Sequence, residues 1–216
     1  MRLHSSTLLR TFAAFTWILL VSACSSVPQV GSPDNELVRN TSKPDQINWP
    51  ARYRLEDATF KVQNAIDINA SANVVWDLLI DAERWPDWYV GASKVRISSP
   101  SPPSTANPQG KLSAGAGFTW DTMGLNFAST ITEFEPPYRL SWESRKSSIQ
   151  GYHAWLIMPT DTGVRVVTEE SQHGFLATLQ DIFQPNKLRK LHDVWLAELK
   201  KLAEAKVQAS LDQSQK

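Results

Sequence analysis

Apolar residues recur two apart along most of this chain and three or four apart in a few stretches. Phe60–Ile68 alternates, with Phe60, Val62, Ile66 and Ile68 on one parity and Lys61 and Gln63 on the other; that pattern predicts a half-buried strand. Ser71 follows as a helix N-cap, and Val74, Val75, Leu78 and Leu79, with Trp76 beside them, predict a helix to about Ala82. Pro86 ends it or restarts a second short helix. Strand periods then return at Lys94–Ile97, Lys111–Thr122, Leu125–Phe134, Arg139–Arg145, Gly151–Met158 and Val164–Glu170. Met123-Gly124, Pro136-Pro137 and Thr160–Gly163 mark turns between them. The chain closes on helical spacing. Leu176–Phe183 forms one short segment. After Pro185, the residues Leu188, Leu191, Val194, Trp195, Leu199 and Leu202 predict an amphipathic helix of about five turns. Its other face carries Lys187, Arg189, Lys190, Lys200, Lys201 and Lys206, which reads as a solvated face before it reads as a membrane-surface stripe.

A strand, two short helices, about six strands and one long helix make an α+β order. The long helix needs an apolar partner, and the inner side of a curled antiparallel sheet offers one. Such a sheet, lidded by short helices, leaves an internal space where small molecules bind.

Composition changes this picture little. The 216 residues are 42% hydrophobic and 20% charged, with nine Trp and no net charge. Nothing favours nucleic acid. The N-terminus changes it more. Arg2 and Arg10 precede the apolar run Phe12–Val21, which is short for a membrane span and suited to a signal-peptide core. Val21-Ser22-Ala23-Cys24 resembles a bacterial lipobox, and Cys24 is the only cysteine. The expectation is a lipoprotein signal at 1–23 with lipidation at Cys24, exported to the cell envelope and held by several acyl chains. Ser25 in place of Asp resembles the outer-membrane sorting pattern. The signal holds two of the 22 basic residues and none of the 22 acidic ones, so the remainder carries −2, and the acyl chains would do the anchoring. Residues 24–56, with Pro28, Pro33, Pro44 and Pro50 among polar residues, read as a flexible tether. Trp49 and Tyr53 are free to dock on the domain or to stay in solvent. The domain is expected over 57–209, with a Pro/Ser loop at Ser98–Gly110 and a polar tail at 210–216.

Three tracts carry a family likeness: ASANVVWDLLIDAERWPDWY, STITEFEPPYRLSW and GYHAWLIMPTDTGVRVVTEESQHG. They resemble the SRPBCC superfamily of START lipid-transfer domains, polyketide cyclases and birch-pollen-type allergens, in its bacterial "polyketide cyclase/dehydrase and lipid transport" branch. The likeness covers about Phe60 to Leu202. It implies a helix-grip fold, a curved antiparallel sheet wrapped around the long C-terminal helix with two short helices after the first strand. It implies no shared catalytic motif, and a fold does not fix a function.

Candidate walls of the cavity are Phe118, Trp120, Phe127, Trp142, Trp155 and Trp195, with Trp85 and Trp88 at the rim. His153 shares parity with Trp155 and Ile157 and faces the interior, first as a hydrogen-bonded core histidine and second as a general acid/base. Of Glu169 and Glu170 at most one points inward, and a surface strand end is the first reading for both. His173 is expected to be exposed. His153, His173 and His192 show no metal-ligand spacing, so no metal or cofactor is assigned. No phosphate loop or nucleophile elbow appears. Three functions are open: binding of a lipid or aromatic metabolite in the cavity, a cyclase- or dehydratase-like reaction at His153 or an inward Glu, or protein interaction through an apolar patch at Trp85, Trp88 and Tyr89 over a filled core.

Overall fold

The computed structural model describes residues 45–98 and 110–215. The signal at 1–23, Cys24, residues 24–44 of the tether and nearly all of the Ser98–Gly110 loop lie outside the described residues. The elements are β1 (Phe60–Ile68), α1 (Ala72–Ile80), a 3-10 turn (Ala82–Asp87), β2 (Ser93–Ser98), β3 (Gly117–Thr122), β4 (Leu125–Glu135), β5 (Arg139–Lys146), β6 (Ile149–Thr160), β7 (Gly163–His173), α2 (Phe175–Phe183) and α3 (Lys187–Ser214). The seven strands form one sheet in the order β1-β7-β6-β5-β4-β3-β2, antiparallel at every pairing. This is the helix-grip α+β fold, with the sheet curved around α3.

Local chemistry explains each boundary near the centre. Ser71 Oγ accepts from the Val74 amide at 3.4 Å and caps α1. Val75, Trp76 and Leu79 are the buried stripe of α1. The helix stops at Ile80, two residues before the predicted end. There the indole of Trp85 donates to the Leu79 carbonyl at 3.0 Å and satisfies one of its last free acceptors. Between β3 and β4, Met123 and Gly124 both have positive φ (53° and 84°), the requirement of a tight two-residue hairpin.

The long helix lies against the sheet through Leu188, His192, Trp195, Leu196, Leu199 and Ala203. The ring of Trp195 meets Trp85 at 5.0 Å, Tyr89 at 4.2 Å and Trp155 at 5.1 Å. Pairs of this kind add about 0.5–1.5 kcal/mol each beyond the area they bury. Polar ties fix the helix lengthwise: the Asn64 amide on β1 donates to Asp193 at 2.5 Å, and Arg189 donates to the Gln63 carbonyl at 2.8 Å. The helix continues through the expected polar tail to Ser214, because residues 206–214 contain neither Gly nor Pro to break it.

The convex side is also covered. Residues 45–56, read as the end of the tether, lie on the sheet, where Tyr53 stacks on Tyr152 at 5.6 Å and Trp49 meets the same ring at 5.7 Å. The Tyr53 hydroxyl donates to Glu143, and Arg139 donates to the Gln46 carbonyl at 2.7 Å. Of the two alternatives for Trp49 and Tyr53, docking is the one observed.

The apolar patch expected at Trp85, Trp88 and Tyr89 is not formed. Trp85 is 0% and Tyr89 2% exposed, whereas Phe175, Ile182 and Phe183 stand out in solvent. Trp85 sits beneath the 3-10 turn with Phe118, Trp120 and Trp142 around it; Trp88 is half-buried. Trp85→Ala should therefore lower the unfolding free energy by about 3–5 kcal/mol, and Trp88→Ala by less than half of that. Urea unfolding followed by circular dichroism measures both; equal losses would contradict this packing.

Candidate functional site

One row of cross-strand partners sets the site. Register pairs Ile131 with Trp142, Trp142 with His153, His153 with Glu170, and Glu170 with Val62. Because side chains alternate along a strand, all five point to the concave face. The helix α3 crosses that face and brings His192 down beside His153, ring centres 4.8 Å apart.

Around this row lies a cavity whose walls include Tyr89, Trp120, Phe127, Trp142, Leu188 and Trp195, with Met123 and Leu125 from the β3–β4 hairpin. Its free space is about 600 Å³ with the open mouth included, and the enclosed part is narrow. That part admits a few waters. An acyl chain would require the walls to move.

The polar end is held from behind. His153 Nδ1 lies 3.1 Å from Glu170 Oε2, and His153 Nε2 is 2.7 Å from Thr168 Oγ1. The Gln172 amide donates to Glu170 Oε1 at 2.6 Å. Trp142 at 4.5 Å and Trp155 at 5.5 Å pack the His153 imidazole. Both nitrogens of His153 are thus occupied by side chains, the hydrogen-bonded core arrangement expected first for this residue. His192 differs: its Nε2 is 3.4 Å from Glu170 Oε2, the residue is 1% exposed, and among the described residues its Nδ1 has no hydrogen-bond partner. Trp195 Nε1, Gln180 Nε2 and Gln172 Oε1, all at the same cavity, are buried without hydrogen-bond partners among the described residues. Buried polar atoms left this way cost about 1–3 kcal/mol each and call for an explanation.

Charge follows geometry. Burial lowers the His153 pKa from 6.5 despite the pull of Glu170, so the ring is neutral near pH 7. Burial by itself would raise Glu170; the imidazoles of His153 and His192 outweigh it and hold the carboxyl well below its usual range. Burial, aided by the Glu170 charge, raises the Tyr89 hydroxyl, which stays protonated. That hydroxyl lies where a side chain on Gly91 would be, so Gly91 allows Tyr89 its position. Among the described residues no Lys or Arg lines the cavity.

Of the residues expected at the site, Trp120, Phe127, Trp142, His153 and Trp195 line the cavity. Trp85, Phe118 and Trp155 are buried in the packed aromatic layer, and half-buried Trp88 lies outside the lining, 6.5 Å from Tyr89. Neither glutamate is a surface strand end. Glu170 faces the cavity; Glu169 is buried on the convex face, where it accepts from Gln63. His173 is half-buried, its ring 5.7 Å from that of Tyr53. In sequence His192 shows itself only as one position of the helix. The signal available is its spacing, four residues after Leu188 and three before Trp195, which places it on the buried stripe. No spacing links His153 to His192, so the absence of a ligand pattern in sequence does not carry over to space.

Residues 59–212 match the family model described as polyketide cyclase/dehydrase and lipid transport. A curated relative, oxopyrrolidines biosynthesis cluster protein O of Penicillium oxalicum, is 28% identical over 106 residues, covering 42% of this chain. The chain spans about half (52%) of that relative's length. Among solved structures, the hypothetical protein jhp0584 of Helicobacter pylori superposes with a TM-score of 0.66 at 24% identity, over 75% of this chain and 98% of that one. The di-domain ARO/CYC protein StfQ from the steffimycin biosynthetic pathway gives 0.54 at 12%, over 68% and 52%. These structural likenesses show the fold alone.

The pH response tests the charge states. As pH falls through 6.5 the unfolded chain protonates His153 before the folded one does, so stability is lost below that value. The slope is at most about 1.4 kcal/mol per pH unit for one proton. Glu170 acts in the same direction lower down: its depressed pKa contributes stability above 4.5 that is lost as pH falls further. Urea midpoints between about pH 7.5 and 5 should fall for the native chain, and His153→Gln should flatten the upper part of that slope. A flat native profile would contradict a neutral buried His153.

Proposed function

Because the chain belongs to the polyketide cyclase/dehydrase and lipid-transport family, we propose that it binds a small hydrophobic molecule in the helix-grip cavity. The ligand class is a planar aromatic of one or two rings with oxygen substituents. The carrying observation is the pairing of aromatic walls with the unpartnered polar atoms of His192, Trp195, Gln180 and Gln172. The rings supply dispersion and apolar burial. The polar atoms recover on binding the hydrogen bonds they lack. A flat ring needs less room than a lipid with long chains, and its outer part would occupy the open mouth. In the cell this module would be exported and held to the envelope through Cys24, a reading supported by the apolar run Phe12–Val21 and the tract Val21–Cys24.

A second reading is a cyclase-like enzyme. The observation that favours it is His192 at the cavity wall, with Nε2 3.4 Å from the Glu170 carboxylate and, among the described residues, no hydrogen-bond partner at Nδ1. In that reading His192 would exchange a proton with a ligand, and Glu170 would orient the ring.

The binding test uses tryptophan fluorescence, since Trp120, Trp142 and Trp195 form the walls. Titrating 2-naphthol into chelator-treated protein should quench it saturably, with a dissociation constant in the range of about 1–100 µM. Leu125→Trp, which adds bulk at a half-buried lining position, should weaken binding about tenfold or more at a stability cost of at most about 1–3 kcal/mol. Absence of saturable quenching, or quenching indifferent to the Leu125 substitution, would refute this site.

A further inference from the structure

We propose that His153 Nδ1, Glu170 Oε2 and His192 Nε2 form a binding site for a divalent transition-metal ion of the zinc class, with its open coordination positions facing the aromatic cavity. The site stands whether or not the aromatic ligand is correctly assigned.

The donor set comes first. Two imidazoles and one carboxylate suit zinc or a neighbouring first-row metal and leave a position for water or ligand. Geometry comes second. Ligand atoms bonded to one ion at ~2.0–2.2 Å lie about 3–3.5 Å from one another. The Glu170 oxygen already lies 3.1 Å from His153 Nδ1 and 3.4 Å from His192 Nε2, and all three atoms fall within 4.8 Å of one another. A small turn of the His192 ring about its side-chain bonds closes the remaining gap.

Support behind the donors comes third. Metal-bound histidines have the other ring nitrogen held, and metal-bound carboxylates are hydrogen-bonded in turn. Thr168 Oγ1 holds His153 Nε2, and Gln172 holds Glu170 Oε1. The Thr168 hydroxyl serves both states. It donates to Nε2 while Nδ1 carries the proton toward Glu170, and it accepts from Nε2–H once Nδ1 faces a metal, so the ring changes tautomer without releasing a proton. His192 is buried, and Glu170 Oε2 at 3.4 Å is a long contact for its Nε2; a metal ion between the two would give each a closer partner.

The test is cobalt and zinc titration of the full chain after chelator treatment. Cobalt should produce visible absorption bands that saturate at one equivalent per chain, and zinc should displace it with a dissociation constant of about 1 µM or tighter. Glu170→Gln and His192→Asn, both close to the native shapes, should each weaken zinc about 100-fold or more. Thr168→Val should weaken it about tenfold through His153. His173→Asn, on the opposite face of the sheet, should leave it unchanged. Near-ultraviolet circular dichroism of the metal-free variants confirms that each is folded. Zinc affinity unaltered by Glu170→Gln and His192→Asn, or no saturable cobalt or zinc binding below about 1 mM, would overturn the site. Naphthol quenching in chelated protein would survive that result and separates the two claims.

Discussion

The indole of Trp195 is the seat on which the architecture depends. An isolated helix as long as α3 is held in a protein by burial of one face, and the middle of that face is this single ring. Around it stand Trp85 from the 3-10 turn, Tyr89 just after it, Trp120 from β3, Trp142 from β5 and Trp155 from β6. The short helices, the sheet and the long helix therefore meet through one side chain. Packing of this density leaves little freedom for the elements to shift separately. It also accounts for the modest cavity: rings that sequence alone could place only as walls spend much of their surface on each other.

The same packing positions the polar end. His192 lies one turn before Trp195, so the contacts that seat the indole also decide where the imidazole arrives. His153 and Glu170 come from neighbouring strands in fixed register. Their approach is a property of the sheet rather than of any loop. Sites carried on such elements keep their geometry better than sites on loops. The cost is electrostatic. A carboxylate is held ionised among aromatic rings, and the two imidazoles offset that cost through proximity.

Most of the fold was legible because periodicity reports which face is buried. The alternation in β1, the paired turns and the spacing of Leu188, Trp195 and Leu199 all pointed to the helix-grip arrangement. Parity gave the inward side of Trp120 and Trp142 but equally that of Phe118 and Trp155, so it did not tell which rings border open space. What stayed hidden was whatever depends on two distant segments meeting. His153 and His192 share no motif; only the crossing of α3 over β6 joins them. Parity alone could not tell which glutamate faced inward, because β7 is buried on both faces and both choices looked alike. Residues 45–56 resembled linker for a similar reason. Their two aromatic anchors, Trp49 and Tyr53, find an apolar surface only once Tyr152 and Ala154 are exposed on the outer side of the folded sheet.

Tyr152 and His153 are adjacent in β6 and serve opposite faces, one beneath the N-terminal strap and the other in the cavity. Nearly every residue from Ile149 to Ile157 is buried. The strand therefore has no idle side on which an error could be absorbed. Inserting or deleting a single residue there would exchange the two faces along its whole length, turning Tyr152 toward Trp195 and His153 toward Tyr53. A change in length avoids that exchange only in the hairpins at either end, so the count of residues in this strand, more than any one side chain, keeps the cavity and the strap on their own sides.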